Sequence, residues 1–252
     1  MKLSGNTILI TGGGTGIGFA LAESFLNEGN EVIICGRRKE ILAEAKRKYP
    51  KLHTKVCDVS KDKEREELFN WINSDFRDLN ILVNNAGIQR ELNFQKGNEI
   101  IETAINEIRI NLESPVVLSA MFVPLLSGKD NSAIINVSSG LAFVPIAGMP
   151  IYCAAKAALH SFSVSLRHQL KDRGIKVFEL IPPAVDTDLD KGARRARGQT
   201  DFGIKPEAVA EETINAMKND EYEIVVGMAK NILNNSRADF ENAFKLMNSR
   251  HP

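Results

Sequence analysis

Five glycines, at positions 12, 13, 14, 16 and 18, stand between an apolar run and an amphipathic one near the start of this chain. Thr7-Ile-Leu-Ile10 reads as a short strand buried on both faces. Phe19–Leu26 reads as an amphipathic helix that stops at Gly29-Asn30, and Glu31–Cys35 is a second apolar run. A strand, a helix and a strand within about thirty residues match the length of one right-handed parallel crossover. Glycines at such a turn let the backbone approach a pyrophosphate, whose charge the helix N-terminus favours. The spacing that fits is Gly12-x-x-x-Gly16-x-Gly18, because Ile17 or Phe19 falls where Gly-x-Gly-x-x-Gly needs a glycine. No Lys-Ser or Lys-Thr follows, which excludes a Walker loop.

The same rhythm continues along the chain. A charged helix over Arg38–Lys48 stops at Pro50, followed by a strand at His53–Cys57, a helix over Asp62–Ile72 and a strand at Ile81–Val83. Helices are expected over Asn98–Ile108 and Ile110–Leu126, then a strand at Ala133–Val137 and a helix over Tyr152–Lys171. Lys176–Ile181, Glu207–Lys218 and Glu223–Val226 give a sixth strand, a helix opened by Pro206 and a seventh strand. Alternation of this kind predicts an α/β fold, a doubly wound Rossmann-type parallel sheet of seven strands with helices on both faces. We expect a single domain over residues 1–252. Two segments break the rhythm. Residues 188–205 form a polar flap carrying Arg194, Arg195 and Arg197, and residues 229–249 read as one added C-terminal helix with Ile232, Leu233, Phe240, Phe244 and Met247 as its apolar positions. That stripe is expected to pack on its own domain or on a second subunit.

Composition narrows the function classes. Lysine plus arginine balances aspartate plus glutamate at 32 each, so no overall field draws in nucleic acid or an anionic membrane. No transmembrane span or signal peptide is expected, since the first apolar run is too short. Cys35, Cys57 and Cys153 are an odd number without metal-like spacing and imply reduced thiols in a cytoplasmic protein. Four scattered histidines, His53, His160, His168 and His251, offer no metal site.

A second polar cluster follows the fifth strand. Ser138, Ser139 and Gly140 break that strand, and Tyr152 and Lys156 then stand four apart on one helix face. With about 4 Å between phenol and ammonium and an effective dielectric near 20, the phenolate gains about 4 kcal/mol, roughly three pKa units before desolvation. Such a phenol can give or take a proton near neutral pH. Cys153, beside it, reads as a small packing residue.

Several motifs in order resemble the short-chain dehydrogenase/reductase family, in its compact one-domain branch. Thr11-Gly12-x-x-x-Gly16-x-Gly18 is followed by Asp58 at the end of the third strand, Asn84-Asn85-Ala86-Gly87 after the fourth, and Asn111 in the long helix. Ser139 stands thirteen residues before Tyr152, and Lys156 four after it. The resemblance implies a catalytic tetrad of Ser139, Tyr152, Lys156 and Asn111. It further implies nicotinamide-cofactor contacts from Gly12, Thr15, Gly16, Ile17, Gly18, Arg37, Arg38, Asp58, Val59, Asn85, Ala86, Gly87, Tyr152, Lys156, Pro182 and Thr187. Hydride would pass between the nicotinamide and a small carbonyl or alcohol, with Tyr152 handling the oxygen's proton and Ser139 holding that oxygen.

Three details refine the expectation. The second strand ends in Cys35-Gly36-Arg37-Arg38, with guanidinium groups where an NAD enzyme places a carboxylate, so NADP(H) is expected over NAD(H). Against it stands Thr15, where many NADP-preferring relatives have a basic residue. Pro115, four residues after Asn111, has no N–H for the Asn111 carbonyl, which is expected to hold a water linking Lys156 to solvent. Finally, Pro182-Pro183-Ala-Val-Asp-Thr187 replaces the family's Pro-Gly turn, and proline cannot take glycine's positive φ. The substrate pocket is expected between residues 88–94, residues 141–149 and the flap. A homodimer or homotetramer through the two long helices is the family's usual assembly. The competing reading is a non-catalytic nicotinamide sensor on the same fold, whose hallmark would be a broken tetrad; an epimerase or dehydratase fits neither the glycine spacing nor the short C-terminal region.

Overall fold

A computed structural model describes residues 1–189, 192, 195, 198 and 203–249. Seven parallel strands form one sheet in the order β3-β2-β1-β4-β5-β6-β7. They span Thr7–Thr11 (β1), Glu31–Gly36 (β2), His53–Val56 (β3), Leu79–Asn84 (β4), Ala133–Val137 (β5), Lys176–Ile181 (β6) and Glu223–Val225 (β7). Alternate residues of each strand enter opposite layers, as the pleat requires. Ile8, Ile10, Val32, Ile34, Phe178 and Leu180 pack against α1 (Gly16–Asn27), α2 (Lys39–Lys48) and α7 (Pro206–Lys218). Leu9, Ile33, Leu82, Ile134 and Val177 face α3 (Asp62–Asp75), α5 (Ser114–Leu126) and α6 (Pro150–Leu170). The doubly wound reading is therefore correct.

Two helical expectations are corrected. The pair expected to separate before Ile110 is a continuous helical stretch: α4 (Ile101–Ile108) runs through one π turn at Arg109–Glu113 into α5. Ser114 donates its backbone N–H to the Arg109 carbonyl and its hydroxyl to the Ile110 carbonyl at 2.7 Å, so the extra residue is absorbed just before Pro115. By length and hydropathy, Phe94–Leu126 could cross a bilayer. Here Ile110, Leu118, Phe122 and Leu126 are buried against the sheet. The tail is not one helix but two, α8 (Ala229–Ala238) and α9 (Phe240–Ser249), broken at Asp239, whose carboxylate accepts the Asn242 N–H at 3.1 Å. Of the flap's three arginines, Arg194 and Arg197 lie outside the described residues.

At the sheet's lower edge, Asn30 locks α1 to β2. Its buried amide accepts the Asn6 backbone N–H at 2.9 Å and donates to the carbonyls of Leu3 and Phe25 at 2.6 and 2.7 Å. Asn30→Leu would strand these groups in a buried corner, at about 1–3 kcal/mol each before relaxation. We expect a net loss of about 2–4 kcal/mol, read as a lower urea midpoint at unchanged slope; an unaltered midpoint would show that water replaces the amide.

Candidate active site

The sheet's order reverses between β1 and β4, and the loops leaving these strands carry the glycines and the Asn-Asn-Ala-Gly segment. Asn85 joins them: its side-chain N–H donates to the carbonyls of Thr11 at 2.9 Å and Gly12 at 3.2 Å. Thr11 Oγ1 accepts the backbone N–H groups of Asn85 and Ala86, each at 3.0 Å. Contact is close enough to forbid side chains. A Cβ on Gly18 would lie 2.4 Å from Asn85 Nδ2 and 2.5 Å from the Gly12 carbonyl, and one on Gly12 would lie 2.9 Å from Ala86 Cα. Gly16, at φ +57°, lies under Thr187, whose Cγ2 would be 2.9 Å from an added Cβ. These glycines form a cradle of backbone at the N-terminus of α1, the form a pyrophosphate requires.

A cavity of about 920 Å³ opens above this crevice. It is lined by Gly12, Thr15, Gly16, Ile17, Arg37, Arg38, Asp58, Val59, Asn85, Ala86, Gly87, Ser139, Tyr152, Lys156, Pro182 and Thr187. Gly18 lies behind the loop against Asn85. Arg38 stands just before α2 and donates to Thr15 Oγ1 at 3.2 Å, spanning the rim of the glycine turn. The Asp58 carboxylate is occupied by its own turn, accepting the Ser60 N–H at 3.1 Å and hydroxyl at 2.7 Å. After β6, the Pro182 carbonyl accepts the Gly140 N–H at 3.0 Å, and Thr187 lies against the glycine loop.

At the inner end, α6 presents Tyr152 and Lys156, both buried. Buried amides seat this helix on the sheet: Asn84 donates to Asn136 Oδ1, and Asn136 to Ser163 Oγ, each at 2.9 Å. Lys156 Nζ donates to the Val137 carbonyl at 2.8 Å and lies 5.6 Å from the centre of the Tyr152 ring. Burial pushes the Lys156 ammonium down to about 8, while Glu107 and Glu179 pull it back up. Ser139 is also buried, its hydroxyl accepting the Leu141 N–H at 3.1 Å. Ser138 turns the other way, as its place on an extended segment implies, and donates to Glu179 at 2.5 Å.

Asn111 lies outside the lining, in the π turn, with its amide closed around one residue. Its Oδ1 accepts the Ile88 N–H at 3.0 Å and its Nδ2 donates to the Ile88 carbonyl at 2.8 Å. One helical turn earlier, Glu107 Oε1 accepts the Arg90 N–H at 3.0 Å. Side chains four apart on a helix thus pair with residues two apart on an extended segment, fixing the wall Ile88–Arg90. Among the described residues Glu107 Oε2 has no hydrogen-bond partner. Burial pushes the Glu107 carboxyl up to about 7, against the Arg90 N–H, the Arg90 guanidinium and Lys156.

The far end of the cavity is apolar: Leu141, Ile146 and Met149, as expected, with Ile232 and Met247 from the tail. Asn248 fastens α9 there, accepting the Ala147 N–H at 2.7 Å and donating to the Pro145 carbonyl at 3.1 Å. The tail therefore packs on its own domain and also walls the site. Cys153 is buried with its thiol pushed up to about 11, chiefly by desolvation, which suits a packing residue.

The family model for short chain dehydrogenases matches residues 6–198. The chain belongs to the short-chain dehydrogenase/reductase family. It is 47% identical to "Uncharacterized oxidoreductase DltE" of Bacillus subtilis over 250 residues, covering 99% of each chain. Among solved structures, it resembles a short chain dehydrogenase from Burkholderia cenocepacia in complex with NADP, at a TM-score of 0.84 and 24% identity over 98% of this chain and 99% of that one. A family member from Burkholderia phymatum in complex with NAD gives 0.87 at 21% identity, over 100% and 98%. Both likenesses concern the fold.

Four contributors were missed in the sequence of this family member. Glu107 had a signal, standing four residues before Asn111, and so did His160, four after Lys156. Glu179 lay in a strand otherwise read as apolar, and Met247 in a tail with no neighbour assigned. Glu107 carries a testable cost. A carboxyl raised from 4.5 to about 7 in the fold favours the protonated native state, so its contribution is intact below about 4.5 and lost as pH rises through about 7. The loss amounts to about 3 kcal/mol at most. Glu107→Gln is expected to flatten the decline in melting temperature across that range; an identical pH profile would mean Glu107 stays ionised throughout.

Proposed function

We propose that this chain is an oxidoreductase transferring hydride between NADP(H) and a small carbonyl or alcohol compound, with Tyr152, Lys156, Ser139 and Asn111 as its working residues. One observation carries the reading: buried Tyr152, Lys156 and Ser139 share a cavity with the glycine cradle. Those glycines suit a dinucleotide, since at Gly12 and Gly16 bare backbone lines the cavity at the N-terminus of α1. When bound, the nicotinamide would supply or accept the hydride at the carbonyl carbon. Tyr152 would give the oxygen its proton in reduction and remove it in oxidation. Lys156 supports phenolate by its charge, and its value of about 8 leaves it mostly ammonium at neutral pH. Ser139 would hold the substrate oxygen within reach of the phenol. Asn111 acts through its amide, which fixes the Ile88 wall. Its carbonyl, denied an N–H by Pro115, would carry the water between Lys156 and solvent.

Arg37 and Arg38 support the choice of NADP(H). Gly36 ends β2 without a carboxylate, and both guanidinium groups border the cavity where a 2′-phosphate would lie. Relatives of this fold are described with either NADP or NAD, so the preference rests on these residues. Leu141, Ile146, Met149, Ile232 and Met247 suit a substrate with an apolar body. Exposed Ile101, Ile105 and Ile108, at helical spacing on α4, favour a homodimer or homotetramer. Three buried free cysteines and a balanced charge accord with a cytoplasmic enzyme that binds neither nucleic acid nor membrane.

Two measurements test this. A panel of carbonyl compounds assayed with NADPH and NADH should reveal turnover that Tyr152→Phe lowers by about 10²–10⁴-fold, with cofactor affinity retained. Cofactor binding without turnover of any compound, and undiminished cellular function in Tyr152→Phe, would favour the sensor instead. Arg37→Ala should weaken NADP binding roughly tenfold or more, the worth of a charged hydrogen bond, while leaving NAD binding nearly unchanged. Equal affinities of the unaltered protein for NADP and NAD would refute the preference.

A further inference from the structure

The polar stripe on α6 continues beyond the candidate pair. Tyr152, Lys156 and His160 stand four apart and leave the helix on one side. His160 Nδ1 lies 2.8 Å from Glu179 Oε2, and Ser138 Oγ donates to Glu179 Oε1 at 2.5 Å. Glu179 lies on β6 with no exposed surface, while 29% of the His160 side chain reaches solvent. One buried carboxylate therefore ties the end of β5, where Ser139 begins its turn, to the helix that holds Tyr152 and Lys156.

A carboxylate removed from water is costly unless it is paired and hydrogen-bonded. Here the hydroxyl takes one oxygen and the imidazole the other. His160 titrates above its ordinary 6.5, first through its hydrogen bond to Glu179; burial opposes this, Glu223 adds to it and Arg167 subtracts. The Phe143 and His160 rings meet edge to face, with centroids 4.8 Å apart. Glu179 also acts on Lys156, where it joins Glu107 in supporting the ammonium against burial. The two cations thus share one anion. A proton on His160 offsets the charge of Glu179, and its release returns that charge to Lys156.

We propose that Ser138, Glu179 and His160 form a positioning clamp that sets the Ser139 turn against the Tyr152–Lys156 helix and makes turnover depend on the protonation of His160. None of the three is a catalytic residue; each acts through Ser139 or Lys156. The kinetic half rests on the function proposed above, and the electrostatic half does not.

The test combines a titration with a pH profile. With only four histidines in the chain, His160 can be assigned by the NMR signal that His160→Gln removes. In the unaltered protein its midpoint should lie above 6.5, and in Glu179→Gln it should fall to that value or below. A midpoint unmoved by Glu179→Gln overturns the clamp, whether or not a substrate has been found. For alcohol oxidation, kcat/KM should rise with pH through a step centred on the same midpoint. His160→Gln keeps an N–H for Glu179 but cannot titrate, so the step should vanish. A step that persists, or a uniform loss at every pH, overturns the coupling, since a purely structural role would lower the whole curve. Retained nicotinamide-cofactor binding marks each variant as folded, and if Glu179→Gln fails to fold, the His160→Gln profile decides alone.

Discussion

Between β1 and β4 the sheet stops growing in one direction and starts in the other, and two loops must diverge without leaving a gap beneath them. The Asn85 amide bridges that point by holding the carbonyls of Thr11 and Gly12. Everything above it follows from how close the two backbones come. Gly12 and Gly18 are required because Ala86 and Asn85 occupy the space of a Cβ. With the first turn of α1 held so low, its backbone N–H groups face an open crevice, and the sheet's strand ends deliver the polar residues to its rim. The glycine pattern and the Asn-Asn-Ala-Gly segment, seventy residues apart in sequence, are one structural device.

The inner end of the crevice runs on a different economy, that of buried charge. Lys156 is enclosed and donates to the Val137 carbonyl, and the field of carboxylates matters more there than at a surface. Glu107 and Glu179 approach it from α4 and β6, and they differ in how well they are satisfied. Glu179 has a hydroxyl and an imidazole, whereas Glu107 has one backbone N–H and an oxygen without a partner among the described residues. The poorly satisfied acid, Glu107, is the one driven toward neutrality, chiefly by burial. Both carboxylates support the Lys156 ammonium against burial, Glu107 more than Glu179.

The layers of the fold were legible because each depends on local periodicity. Thr7–Thr11 and Ala133–Val137 are buried throughout, and continuous apolar runs of that length announce central parallel strands. The break between α4 and α5 was misplaced because a π turn adds one residue without interrupting the apolar face. Likewise, Asp239 breaks the tail inside an apolar stripe that suits one helix or two. In the site, Tyr152 and Lys156 could be paired from spacing alone. Glu179 could not, for a glutamate in a buried strand looks like an exception until Ser138 and His160 are seen on its two oxygens. Met247 was read as an apolar packing position, but its place at the site was hidden for a topological reason: the tail returns across the chain to residues 145–149, a contact that no short-range pattern encodes.

That return has a consequence for how the site can work. Ile146, Met149, Tyr152 and Cys153 form a small apolar cluster separate from the two large ones, and Leu141 and Met247 complete its outer side. Its members come from the segment after β5, the first turns of α6 and the last helix, so it has no strand of its own to stiffen it. Asn248 supplies the missing constraint through the Pro145 carbonyl and the Ala147 N–H. A wall tied to the tail by the two Asn248 bonds and by methionine contacts adapts more readily than one built on the sheet, because methionine has three rotatable bonds and tolerates repacking. The glycine end of the crevice is thereby held by backbone contact and the apolar end by side-chain contact. The division falls at Tyr152, which belongs to the adjustable cluster while Lys156, four residues on, is held to β5.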